Sequence, residues 1–223
     1  MGDGFVSRGF KGRPRRPDSG RLPPGQYQTN DFPVLSAGPT PVVPLGSWSF
    51  TISADHAPAG REHEGGAADP HPAARWTWAE FQQLPREVVT RDIHCVTKWS
   101  KFDTVWEGVS LDTLLAAADA KGVQRKPYVV AFCDGGYTTN LPLADVTGGK
   151  AWIAFGYDGA PLPAEHGGPA RLLVPHLYFW KSAKWVRGLV LHDDDRPDSG
   201  RSSATTTAAT RGPSSATRVM GDR

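Results

Sequence analysis

Asp92-Ile93-His94-Cys95-Val96-Thr97-Lys98-Trp99-Ser100 holds one of the only two cysteines in a chain of 223 residues. Residues 87–95 read as a strand, with Val88, Val89 and Ile93 as its apolar positions, followed by an irregular polar segment. A thiolate at such a strand end suits nucleophilic attack or binding of a soft metal. The competing reading is a buried cysteine that packs as a small hydrophobe. Cys133, inside the apolar run 128–133, takes only that second reading. A nucleophile also needs a base. On an extended strand His94 projects to the face opposite Cys95. That leaves His166 and His176, each of which also reads as a hydrogen-bonded structural histidine.

Working outward, helix and strand signals alternate irregularly. Residues 48–52 alternate as a strand, and the Gly/Pro/His-rich stretch 57–72 reads as a surface loop. Thr77-Trp78-Ala79-Glu80 fits a capping box that opens a short helix ended by Pro85. Ser110 can cap a second helix through Ala118, on which Leu111, Leu114, Leu115 and Ala118 share a face. Residues 128–133 and 137–141 form strands around Asp134-Gly135-Gly136, and 151–157, 171–174 and 184–191 supply the remaining strands. No βαβα rhythm emerges, so the expected class is α+β, with mixed β-sheets and short helices.

Composition narrows the function classes. Hydrophobic residues make up 39% and charged residues 22%, as in soluble proteins. No run approaches the ~20 apolar residues of a membrane span. Two cysteines cannot build a disulfide framework, and no C-x-x-C marks a structural zinc site. The net charge of +2 hides a division: residues 1–22 carry +4, 196–223 carry +3 and 23–195 carry −5. The expected organisation is a basic N-terminal arm (1–22), a mildly acidic folded body (23–195) and a disordered tail (196–223) without an aromatic residue. Arg15-Arg16 is followed by Pro17-Asp18-Ser19-Gly20 rather than an apolar segment, so no export signal is read and a cytoplasmic protein is expected. A mildly acidic body is not a nucleic-acid binder's surface, and no membrane partner is expected.

A third segment, residues 165–184, pairs Gly167-Gly168 with Arg171, Lys181, Ser182 and Lys184, donors suited to a phosphate. Neither a Walker loop nor G-x-G-x-x-G is present.

Together these blocks resemble the molybdopterin-binding domain of the sulfite oxidase family, especially its small bacterial members without a haem domain. The resemblance covers roughly residues 8–191. It runs through RLPPGQ (21–26), DFPVLSAGPTP (31–41), DIHCVTKWS (92–100), WEGVSLDTLL (106–115), DGGYTTNLPL (134–143) and the segment 171–184. It implies a molybdenum-molybdopterin cofactor, with Cys95 as the single protein thiolate on the metal. His166, Arg171, Ser182 and Lys184 match positions that hold the pterin and its phosphate. Asn30, Phe32 and Pro33 match the N-terminal segment lining the pterin, and Asp134 stands where a related branch has a pterin-contacting threonine. The implied activity is two-electron redox, as oxygen-atom transfer on a small oxo-donor or oxo-acceptor, the metal cycling between Mo(VI) and Mo(IV). Lys98, Trp99 and His94 are placed at the substrate funnel by proximity alone. The arginine-rich sulfite pocket is not evident. No haem or flavin motif is present, so a separate flavin- or haem-containing electron-transfer protein is the expected partner.

Relatives of this type continue with an aromatic-rich ending where this chain turns to Ser, Thr and Ala. Synonymous codons allow that ending in another reading frame of residues 198–218, so the tail is expected to derive from a frameshift or sequencing error, which the nucleotide sequence decides. Two other readings stand beside this one: a non-catalytic or inactivated molybdopterin-binding module, and a hydrolase built on Cys95 and a histidine.

Overall fold

The structure is a computed structural model that describes residues 20–35, 38–55 and 73–197. The loop 57–72 and the tail 198–223 lie outside the described residues, as does most of the N-terminal arm. Among the described residues no helix is long and apolar enough to cross a membrane.

Among the described residues eleven strands form two sheets. They are β1 (Tyr27–Gln28), β2 (Ser49–Ala54), β3 (Ala73–Thr77), β4 (Glu87–His94), β5 (Trp99–Ser110), β6 (Tyr128–Cys133), β7 (Thr138–Pro142), β8 (Trp152–Tyr157), β9 (Ala160–Pro161), β10 (Arg171–Leu173) and β11 (Val186–His192). One sheet runs β1-β5-β8-β10, with β4 on β5 and β9 on β8. The other runs β3-β2-β11-β6-β7. Both are mixed: β1 pairs with β5, and β2 with β11, in parallel, while the other pairs are antiparallel. Among the described residues the α-helices are α1 (Trp78–Phe81) and α2 (Leu111–Asp119), with short 3-10 turns besides, and the class is α+β as expected.

Both helices start where capping chemistry puts them. The Thr77 hydroxyl accepts from the Glu80 amide while the Glu80 carboxylate accepts from the Thr77 amide, a reciprocal capping box. Ser110 accepts from the Thr113 amide, and Leu111, Leu114, Leu115 and Ala118 are buried. The segment after Cys95 departs from its reading as irregular. Residues 99–110 are the longest strand, β5. Lys101, Asp103 and Glu107 mask its pattern, but Thr104, Trp106 and Gly108 alternate inward from them. The expected strands 184–191 and 171–174 shift slightly, to β11 and β10.

Within the first sheet β8 and β10 are buried on both faces, so they divide their side chains between two cores. Ile153, Phe155 and Leu172 enter the large core shared with the second sheet, α1 and α2. Trp152, Ala154 and Leu173 enter a smaller core with Ile93, Cys95, Trp99, Trp106, Leu162 and Phe179. This period of two also decides the address of Arg171: two residues before Leu173, it belongs to the Cys95 side of the sheet.

Candidate functional site

Cys95 lies where β4 turns into β5. The Lys98 amide donates to the Cys95 carbonyl (3.0 Å) and the Cys95 amide to the Trp99 carbonyl (2.8 Å). Lys98 sits at φ 74°, in the left-handed region. These features define a three-residue hairpin loop of Val96, Thr97 and Lys98, with the left-handed residue in the position glycine usually takes. The loop holds Cys95 at 5% exposure, and the Thr97 hydroxyl donates to its Sγ at 3.0 Å. Lys98 is exposed, whereas Trp99 is buried.

A second layer fixes the same loop from outside. The Tyr27 amide donates to the Lys98 carbonyl and the Thr29 amide to the Ser100 carbonyl, both at 2.9 Å. Gln26 Nε2 donates to the Cys95 carbonyl at 3.3 Å, and its Oε1 accepts from the Ser100 hydroxyl. That hydroxyl meets His94 Nδ1 at 2.9 Å. His94 is thus engaged with Ser100 rather than with Cys95, and burial lowers its pKa. Among the described residues the hydrogen-bond partner of Cys95 Sγ is Thr97. Among the described residues no histidine hydrogen-bonds to Cys95 Sγ, which leaves the hydrolase reading without support.

The N-terminal segment then enters the small core. Lys101 Nζ donates to the Asn30 carbonyl. Phe32, followed by Pro33, stacks on the His166 ring at 3.8 Å and 12°. Phe32 also meets Trp99, Trp106, Tyr157 and Phe179 at 5.0–6.4 Å between centroids. Burial lowers the His166 pKa, with Arg171 acting in the same direction.

Arg171 is the most unusual group at the site. It is 2% exposed, and its amino nitrogens donate to the carbonyls of His166 (2.7 Å) and Ser182 (2.6 Å). Its guanidinium lies over Phe179 (4.1 Å) and Trp106 (5.6 Å). Among the described residues no carboxylate pairs with it, and its Nε is buried without an acceptor. Burial pushes its pKa well down. Lys184 Nζ donates to the Glu165 carbonyl (2.8 Å), and burial together with the Arg171 charge pushes its pKa down to about 8. Ser182 turns its hydroxyl to the Val174 amide (2.9 Å) and its carbonyl to Arg171. Gly167, at φ 109°, is needed because a Cβ there would lie 3.0 Å from Lys184 Cα and 3.1 Å from Arg171 Cβ.

Asp134 opens the β6–β7 turn, its amide donating to the Trp185 carbonyl (2.9 Å), and its carboxylate is taken by Arg187 at 3.4 Å. Lys181, by contrast, is buried on the Asn140 carbonyl and side chain (2.8 and 2.9 Å). Cys133 is buried, and desolvation pushes its pKa up to about 12, as befits an inert core thiol.

The expected residues therefore form two groups joined by aromatic rings. Cys95 and Trp99 stand at one end, Phe32 and His166 in the middle, and Arg171, Ser182 and Lys184 at the other. Phe179 is the link, since it packs on Trp99 (6.0 Å) and under Arg171. Reading the sequence missed Gln26, Thr97, Trp106, Tyr157 and Phe179, whose roles depend on which turn or ring they meet. Gln26, Thr97, Trp106 and Phe179 lie inside the blocks that carry the resemblance, whereas Tyr157 lies outside them.

Two buried donors here, Arg171 Nε and Trp99 Nε1, have no acceptor among the described residues. A buried donor left unpaired costs about 1–3 kcal/mol, so the site calls for an acceptor-rich ligand. The described residues contain no group of three or more His, Cys, Asp or Glu that could cage a metal. One thiol beside unpaired cationic and indole donors suits a metal that arrives with most of its own ligands on an anionic carrier. A molybdopterin-type cofactor fits that donor set.

Comparison with known proteins agrees. The family model described as "Oxidoreductase molybdopterin binding domain" matches residues 64–199. The chain is 38% identical over 190 residues to the uncharacterized oxidoreductase YuiH of Bacillus subtilis, covering 84% of this chain and 88% of that protein. It is 29% identical over 120 residues to the protein-methionine-sulfoxide reductase catalytic subunit MsrP of Gluconobacter oxydans, covering 47% of this chain and 38% of that one. Among solved structures it resembles the sulfane dehydrogenase SoxCD of Paracoccus pantotrophus, with TM-score 0.55 and 20% identity over 70% of this chain and 41% of that one. It thus spans less than half of the latter two proteins. The matched residues take in Cys95, Arg171 and Lys184, and on these grounds the chain belongs to the sulfite oxidase-like family of molybdopterin-binding oxidoreductases and is an enzyme.

Proposed function

We propose that this oxidoreductase binds molybdenum through Cys95 Sγ, holds the pterin's phosphate with Arg171 and Lys184, and performs oxygen-atom transfer on a small oxo-donor or oxo-acceptor. A separate flavin- or haem-containing protein exchanges electrons with it. The observation that carries the reading is Phe179, which ties the Cys95 hairpin to an uncompensated buried arginine. The bound cofactor would supply two-electron redox chemistry. The chain supplies the rest. The hairpin loop, laced by Gln26 and the β1 backbone, fixes the direction of Cys95 Sγ. Arg171, locked by the His166 and Ser182 carbonyls, presents a cation at fixed orientation. Phe32, Trp99, Trp106, Tyr157 and Phe179 exclude water, which strengthens those charges. The relative MsrP is named for protein methionine sulfoxide, so S-oxides come first in a substrate panel.

Metal and pterin analysis of protein from a cofactor-producing host tests this. About one molybdenum per chain is expected, with Cys95→Ser losing turnover of S-oxide or N-oxide substrates. Matured protein without molybdenum or pterin overturns the proposal. Full molybdenum with no turnover across oxo-donors and oxo-acceptors replaces it with a non-catalytic binding module.

A further inference from the structure

Beyond its ligand role, the Cys95 sulfur has a neighbour with a job of its own. We propose that Thr97 tunes the metal: its hydroxyl, 3.0 Å from Cys95 Sγ, donates a hydrogen bond that withdraws electron density from the thiolate. This rests on the reading of Cys95 as the metal's protein ligand.

The turn makes the contact a built-in feature. Cys95, Val96, Thr97 and Lys98 close through the Lys98 amide to the Cys95 carbonyl, which brings the third residue's side chain back over the first. Lys98 keeps a left-handed conformation to allow it. The Cys95 carbonyl is held separately by Gln26, so the loop does not depend on the Thr97 hydroxyl for its shape. Thr97 is exposed whereas Cys95 is 5% exposed. The hydroxyl therefore reaches the sulfur from the exposed loop, while Cys95 shares its buried cluster with Trp99 and Phe179.

A hydrogen bond to a metal-bound sulfur lowers its electron donation, which raises the metal's reduction potential and moves the sulfur-to-metal charge-transfer band to higher energy. Thr97→Val keeps the branched shape and deletes the donor. Thr97→Ser keeps the donor.

The test compares wild-type, Thr97→Val and Thr97→Ser holoenzymes by molybdenum content, absorption spectrum and redox titration. The expected result is equal molybdenum in all three. Thr97→Val shifts the charge-transfer band to longer wavelength and lowers the midpoint potential, and Thr97→Ser matches wild type on both. Equal molybdenum with an unmoved band and potential in Thr97→Val overturns the tuning role. So does a shift that Thr97→Ser fails to prevent, or loss of molybdenum from Thr97→Val, since either makes the contact structural. Absence of molybdenum from wild type overturns instead the assignment of Cys95.

Discussion

At the scale of single residues, the hairpin loop shows a site whose geometry outranks local comfort. A lysine at φ 74° costs on the order of 1 kcal/mol, which glycine would not. Lys98→Gly is therefore expected to stabilise the cofactor-free protein by about 1 kcal/mol, read by urea denaturation. A neutral or destabilising result would mean that the lysine side chain supplies more than its backbone loses. Cys95 stood out in the sequence as a candidate because few residue types can bind a soft metal, although the residues alone equally allow a buried core cysteine. Thr97 did not, because its importance lies in a contact made only when the turn closes.

At the scale of elements, β5 carries both halves of the site. Its start pairs with β1 and brings in the segment leading to Phe32; its middle supplies Trp106; its end packs on β8. The last contact needs Gly108, where a Cβ would lie 2.6 Å from the Ile153 carbonyl oxygen and 2.8 Å from Ala154 Cα. Both are backbone atoms of a buried strand and cannot swing aside. Gly108→Ala should destabilise the protein by about 1–3 kcal/mol, seen as a lower denaturation midpoint. The two helices and β6 were legible from caps and apolar spacing, which are local signals. β5 was hidden because its charges interrupt the apolar pattern that a buried strand leads one to expect, and only pairing with β4 and β8 discloses the alternation beneath.

At the scale of the whole molecule, the fold brings Arg171 and Lys184 close together, and among the described residues neither forms an ion pair, Glu165 offsetting the Lys184 charge only in part. Burial and Arg171 hold the Lys184 ammonium at a pKa of about 8, below the ~10.4 of an unfolded lysine. Between these values the unfolded chain binds more protons, so this contribution to stability rises with pH from about 8 to ~10.4 and falls away as pH drops through about 8. Cofactor-free wild type should therefore gain stability over that window relative to Lys184→Met, measured by denaturation at a series of pH values. A bound phosphate should flatten the difference by favouring the charged lysine; parallel curves in the cofactor-free proteins would show that Lys184 is not desolvated in solution.

The sequence by itself determined the class, the cysteine with chemical prospects and the cationic segment, because composition, capping and ligand chemistry are written locally. It also determined that Arg171 and Leu173 share a face, since strand periodicity is intrinsic. Only the tertiary structure decided that this face is the one holding Cys95. Pairing of β10 with β8, and of β8 with β5, joins segments far apart in the chain, and nothing in a local pattern states which sheet a strand will join or which core its faces will meet.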